Sequence, residues 1–138
     1  MAQHRHFDEE LAELKTKLAR MAGLAEDQID KALTALVTRD AALACRVIER
    51  DHKVNAMDVE IDEACIELLA LHQPAARDLR LVTTAMKLST ELERISDLSE
   101  SICERAIELN EEPQLKPYID IPRMGGLARV MVKESIDA

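Results

Sequence analysis

The sequence predicts an all-α protein, an antiparallel three-helix bundle followed by the first helix of a second, truncated repeat. Three observations carry that prediction. The apolar residues are mostly Leu, Ile, Ala, Val and Met, with one Phe, one Tyr and no Trp, so good helix formers dominate and aromatic strand formers are scarce. Three glycines and four prolines in 138 residues leave room for few turns. Apolar residues recur at steps of three and four along most of the chain, the period of a helix that buries one stripe.

The totals also exclude classes of function. A net charge of −9 argues against a nucleic-acid partner, because phosphate contact needs clustered Lys and Arg. No apolar run is long enough to span a bilayer. The opening MAQHRHFDEE has no apolar segment and is no signal peptide, so a cytoplasmic location is expected. Cys45, Cys65 and Cys103 are odd in number, far apart and free of zinc-type spacing. They are expected to be reduced, small, buried side chains.

The first helix is predicted from about Asp8 to Arg39, with a seam at Phe7, Leu11, Leu14, Leu18, Met21, Ala25, Ile29, Ala32 and Leu36. Gly23 interrupts the pattern without a proline, so the helix is expected to continue through it. Asp40 reads as the N-cap of a second helix from about Ala41 to Leu71, with Leu43, Val47, Val54, Met57 or Asp58, Ile61, Cys65 and Leu68 inward. Pro74 suits the first position of a third helix reaching Asn110, roughly 55 Å long at 1.5 Å per residue. Its expected seam is Leu81, Ala85, Leu88, Leu92, Ile95, Leu98 or Ser99, Ile102, Ala106 and Leu109. Core positions singled out across the bundle are Leu14, Leu18, Ile29, Val54, Ile61, Leu68, Leu88, Leu92 and Ile95.

Pro113, Pro117 and Pro122 mark a loop, after which a further apolar stripe runs through Met124, Leu127, Ala128, Met131, Val132 and Ile136. Arg20-Met21-Ala22-Gly23-Leu24-Ala25 resembles Arg123-Met124-Gly125-Gly126-Leu127-Ala128, and at the same offset Ile29 meets Val132 and Leu33 meets Ile136. That is an internal repeat. The expected organisation is a three-helix repeat over 1–112, a linker over 113–121, and the first helix of an incomplete repeat over 122–138. The stripe of that last helix needs a partner, and the linker prolines work against folding back. Exchange between two copies, a homodimer, is the expected solution.

Two columns of oxygen ligands stand out. Glu93, Asp97, Glu100, Glu104 and Glu108 follow one another by turns on the third helix, and Asp51, Asn55, Asp58 and Asp62 do so on the second, on a face separate from its apolar seam. Like charges one turn apart cost roughly 0.2–0.5 kcal/mol per pair, so something positive or wet should offset them. The short turn at Pro74 implies antiparallel packing, and Asp51/Asn55 and Glu93/Asp97 lie at about equal distances from it. They should therefore stand level, as in carboxylate sites that bind a metal between facing helices. All-oxygen ligands favour Mg, Mn or iron over zinc. The plain alternative is two solvated faces, neutralised by Arg80, Lys87, Arg94 and Arg105. His52 is the one histidine beside the columns, and no Glu-x-x-His pair of the buried di-iron type is present. Nor is there a phosphate-cradling loop, a nucleophile elbow or a cysteine with an evident histidine, so no enzyme is predicted.

Three stretches carry a family resemblance. Val47-Ile48-Glu49-Arg50-Asp51 with Val54-Asn55 and Glu60-Ile61-Asp62-Glu63-Ala64-Cys65 resembles the second helix of the PhoU family of bacterial phosphate-signalling regulators. Gln73-Pro74-Ala75-Ala76-Arg77-Asp78-Leu79-Arg80 resembles the opening of that family's third helix. Glu91-Leu92-Glu93-Arg94-Ile95-Ser96-Asp97 matches its acidic signature, with Ser96 where Gly is frequent. The resemblance runs through the whole chain in order and implies two tandem three-helix repeats, of which this chain matches the N-terminal part. It implies a negative regulator of phosphate uptake and phosphate-starvation signalling. Such a regulator acts as a cytoplasmic adaptor between the ATPase of a phosphate ABC transporter and a membrane sensor histidine kinase. It further implies divalent metal binding through Glu93 and Asp97, then Asp51, with Asn55 where some members have Asp. A reading from another class is a helical carboxylate bundle for metal binding or storage, or a di-metal oxidase.

Overall fold

The computed structural model describes residues 2–110, 126 and 129–134, with side chains from His6 onward. Three long helices, α1 (Ala2–Thr38), α2 (Ala41–His72) and α3 (Ala76–Leu109), pack pairwise as an antiparallel bundle. α1 begins six residues before the expected Asp8, because nothing in Ala2–Phe7 breaks a helix and Phe7 has something to pack on. Phe7 is buried and its ring meets the ring of His72 edge-on, with centroids 5.3 Å apart. Gly23 sits inside α1 and the helix runs through it.

Two sharp corners turn the chain. At the first, Arg39 takes a left-handed conformation (φ 57°) and Asp40 caps α2, its Oδ1 accepting from the Leu43 N–H at 3.0 Å. At the second, Gln73 takes the left-handed C-cap conformation (φ 42°) and Ala75, not Pro74, is the N-cap of α3. Pro74 thus precedes the helix rather than opening it. Its neighbour already serves the first turn, since the Leu79 N–H donates to the Ala75 carbonyl at 2.8 Å.

The seams follow a strict four-three alternation. On α1 it runs Phe7, Leu11, Leu14, Leu18, Met21, Ala25, Gln28, Ala32, Ala35; on α2, Ala44, Val47, Asp51, Val54, Asp58, Ile61, Cys65, Leu68. On α3 it runs Val82, Ala85, Ser89, Leu92, Ser96, Ser99, Cys103, Ala106. Leu14, Ile29, Val54, Ile61, Leu68 and Leu92 are buried as expected, while Leu18, Leu88 and Ile95 are half-buried. The expected phase of α3 needs correction. Leu81 is 40% exposed and Leu98 and Leu109 face outward, because serines and Cys103 occupy the inner line. Cys65 and Cys103 are buried with thiols pushed up to about 11, chiefly by burial; Cys45, contrary to expectation, is exposed.

The core is split. One cluster gathers Phe7 to Ala25 of α1 with Val54 to Leu68 and Val82 to Leu92. The other holds small side chains, Ala32, Ala35, Ala44, Val47, Cys103 and Ala106. Between them lies a polar layer of Gln28, Asp51, Ser96 and Ser99, all buried. Gln28 is tied down by its Nε2, which donates to the Val47 carbonyl at 2.9 Å.

Residues 129–134 are helical and return to α1. Arg129 pairs with Asp30 at 3.4 Å, and Val132 is buried in the first cluster, as its repeat counterpart Ile29 is buried in α1. This part of the stripe folds back within the chain, against the expectation drawn from the prolines; Val130 and Met131 stay exposed. The linker 113–121 lies outside the described residues, as does most of 122–138.

Two measurements check this packing. Ile61→Ala and Leu92→Ala each remove a side chain from the larger cluster and should lower unfolding stability by roughly 2–5 kcal/mol. A methyl added at Gly23 meets nothing within 4 Å, so Gly23→Ala should instead stabilise by about 0.5–1 kcal/mol in chemical denaturation.

Candidate metal centre

The carboxylate columns meet where α2 and α3 face each other. The register is visible in three contacts. Ser96 Oγ donates to Asp51 Oδ1 at 2.7 Å, Ser89 Oγ donates to Asp58 Oδ1 at 2.5 Å, and Cys65 Sγ approaches the Val82 carbonyl at 3.8 Å. Each seven-residue step along α2 (51, 58, 65) is matched by a seven-residue step back along α3 (96, 89, 82). Expected and observed levels therefore agree for Asp51 and Asp97. Asp51 lies in the seam itself rather than on a separate face, only 7% exposed.

Two subsites form, about Asp51 and about Asp58, some two turns apart along α2. In the first, carboxylate oxygens of Asp51, Asp97 and Glu100 all lie within 4.8 Å of one another. Asn55 joins it, its Nδ2 donating to Asp51 Oδ2 at 3.3 Å while its own Oδ1 is buried without a hydrogen bond. In the second, Glu93 turns to Asp58 and hydrogen-bonds with it, and Asp62 stands next along α2. Glu100 thus takes the place beside Asp97 that spacing alone gave to Glu93. Its presence in the α3 column was readable; its partner was not.

Among the described residues no lysine or arginine pairs with these acids. Arg94 goes to Glu91 and Arg105 to Glu108 on their own helix, Lys17 to Glu60, and Arg50 and Lys31 to Asp27. The neutralised-face alternative therefore lacks its cations. The repulsion is instead relieved by protons. The hydrogen bond to Asp58, then burial, then the charges of Asp58, Asp97 and Asp51 push Glu93 up from 4.5 to about 7. The bond to Asp51, burial, and the charges of Asp51, Glu104 and Asp97 push Glu100 up to about 7 as well. Asp97 is raised by burial and Asp51, and Asp62 by burial and Asp58.

The donor set fits a hard divalent cation. Mn and Mg take oxygen ligands at about 2.1 Å, so neighbouring ligands stand about 3.0 Å apart and only opposite ones about 4.2 Å; oxygens that lie within 4.8 Å of one another would draw together around one ion. The Asn55 Oδ1 without a hydrogen bond is a fourth oxygen, buried and in want of a positive partner.

The pKa shifts set the sign of a pH dependence. Glu93 and Glu100 hold a proton more tightly folded than unfolded, so stability is complete below about 4.5 and is lost as pH rises through about 7. In chelator, the melting temperature should rise as pH falls from about 8 to about 5.5. Glu93→Gln with Glu100→Gln should flatten that slope and raise stability at the alkaline end.

Comparison with known proteins gives these features a family. A sequence model of the PhoU domain matches residues 18–106. The phosphate-specific transport system accessory protein PhoU homolog of Aquifex aeolicus is 42% identical over 127 residues, 92% of this chain and 58% of that protein. The Escherichia coli protein of that name is 39% identical over 132 residues, 96% of this chain and 55% of its own length. The chain thus spans little more than half the length of these relatives. The crystal structure of PhoU from Pseudomonas aeruginosa superimposes with a TM-score of 0.92 at 40% identity, over 96% of this chain and 64% of that one. The Streptococcus pneumoniae phosphate transport system regulatory protein PhoU gives 0.87 at 33% identity, over 96% and 62%. With the domain matched over most of its length and the bundle superimposing along nearly all of it, this chain belongs to the PhoU family.

Proposed function

We propose that this chain acts as a regulatory accessory subunit of phosphate transport, with the α2–α3 carboxylate column as a divalent-cation site. In this reading it represses phosphate uptake and phosphate-starvation genes as an adaptor between the ATPase of a phosphate ABC transporter and a membrane sensor histidine kinase. The similarity to accessory proteins of phosphate transport along almost the whole chain supports the role. The observation that carries the site is an acidic cluster on the α2–α3 seam, buried Asp51 with half-buried Glu100 and exposed Asp97, that no cationic side chain among the described residues offsets. A cation held there would tie α2 to α3 and set the shape of the face they present. No described helix is long and apolar enough to cross a membrane, so a membrane kinase or transporter would be reached through protein contact. A homodimer belongs to the same proposal, supported by Val59, Ile66 and Val130, each more than half exposed.

The oxidase reading finds less support. His52 is exposed, and its Nδ1 meets the Glu49 carbonyl of its own helix instead of the acids.

The test has two arms. Mn, Mg or ferrous iron should raise the melting temperature with concentration, as mass action requires, and Asp97→Asn with Glu100→Gln should abolish the rise. In cells lacking their own copy, the chain should co-purify with the transporter ATPase or the kinase and hold starvation genes off in ample phosphate. Asp97→Lys with Glu100→Lys should lose both. A cation response without partner capture would leave a metal-binding bundle and overturn the adaptor role.

A further inference from the structure

A second group of metal ligands lies far from the acidic seam, at the end of the bundle where α1 begins and α2 turns into α3. His6 and Glu10 stand one turn apart on α1, and His72 is the last residue of α2. His6 Nε2 is 2.6 Å from Glu10 Oε1, and His72 Nε2 is 3.4 Å from Glu10 Oε2, on opposite oxygens of one carboxylate. The three donor atoms lie within 4.8 Å of one another. The rings of His6 and His72 approach to 5.8 Å between centroids, and Phe7 holds the far side of His72.

Two details separate this group from a surface ion pair. The His72 side chain is only 11% exposed, and its Nε2 is buried without a hydrogen bond, so its contact with Glu10 leaves that atom unsatisfied. A buried ring nitrogen with no partner costs free energy that a Lewis acid would recover. His6 by contrast is 62% exposed, which gives an ion a way in. Ligands around a tetrahedral ion at about 2.0 Å stand about 3.3 Å apart, close to the His72–Glu10 spacing.

We propose that His6, Glu10 and His72 form a binding site for zinc or a similar borderline transition-metal ion. Two imidazoles and one carboxylate are the ligand set such ions prefer, with water in the remaining position. The acidic seam, all oxygen, selects harder ions, so the two sites differ in taste as well as in place. The ion clips the start of α1, whose first turn has no acidic residue, onto the α2–α3 corner.

Zinc titrated into the full chain carrying Glu93→Gln, Asp97→Asn and Glu100→Gln isolates this site from both subsites of the seam. One equivalent should bind, the melting temperature should rise, and cobalt in place of zinc should give the visible ligand-field band of a nitrogen-containing tetrahedral site. His72→Gln should weaken binding by more than about tenfold. His6→Gln, at an exposed position that cannot disturb the core, should do the same and keeps the test decisive if His72→Gln misfolds. Zinc binding unchanged by both histidine substitutions, or absent from the seam variant, would overturn the proposal.

Discussion

A carboxylate inside a helical seam needs a donor, and the hydrogen bond from Ser96 to Asp51 meets that need. Asp51 occupies a position where α2 would otherwise bury an aliphatic side chain, and a buried acid without a partner costs more than the bond itself gains. The pairing therefore selects the register of α2 against α3. Slipping by one heptad would set Asp58 against Val82, which has no side-chain donor to offer. A polar group at one inward position of a coiled pair acts in this way, specifying alignment at some cost in stability. The height of every acid on α3 relative to α2 follows from it.

The same layer divides the core, and the two halves are built differently. On the corner side of Gln28, Asp51 and Ser96, large side chains such as Phe7, Met21, Ile61 and Leu68 fill the space between helices. On the other side alanines, Val47 and Cys103 suffice, so the helices approach closely where Arg39 also ties the end together. Its Nη2 donates to the Leu109 carbonyl at 2.9 Å, and the Asn110 Nδ2 donates back to the Arg39 carbonyl at 3.0 Å. The Asp51 subsite sits beside the polar layer, between a bulky end and a slim one, and the Asp58 subsite lies one heptad into the bulky end. A change of charge at the Asp51 subsite acts on the joint between two separately packed units.

How much of this was legible follows from what periodicity can measure. The seams of α1 and α2, the Asp40 cap and the level of Asp51 with Asp97 follow from apolar spacing and turn chemistry. The phase of α3 does not, because counting apolar residues favours Leu81 and Leu88 over Ser89 and Ser96 and leaves Leu98 and Ser99 as alternatives. Two of those serines are inward because acids on α2 accept from them, and Ser99 because it bonds its own helix at the Ile95 carbonyl, 2.9 Å away. Spacing placed the candidate ligands to within a turn. Whether Glu93 or Glu100 closes on Asp51 depends on side-chain geometry that no pattern encodes. Gln28 and the His6–Glu10–His72 group escaped for the same reason, since each is assembled from different helices.

Protons and a cation bound at the acidic seam would compete for one set of oxygens. Below neutrality Glu93 and Glu100 hold protons, each hydrogen-bonded to an acid of α2, and the bundle is at its most stable. As pH rises those protons leave, the column charges, and the same event that destabilises the bare bundle creates the ligands a divalent ion needs. A cation bound there would therefore gain affinity with pH over the range where intrinsic stability declines, and would take over the work of the protons. Lysine or arginine side chains on a partner would meet the identical demand from outside. The seam thus has three ways of offsetting its charge, and under the proposed function a regulator built on it would report which of the three is bound.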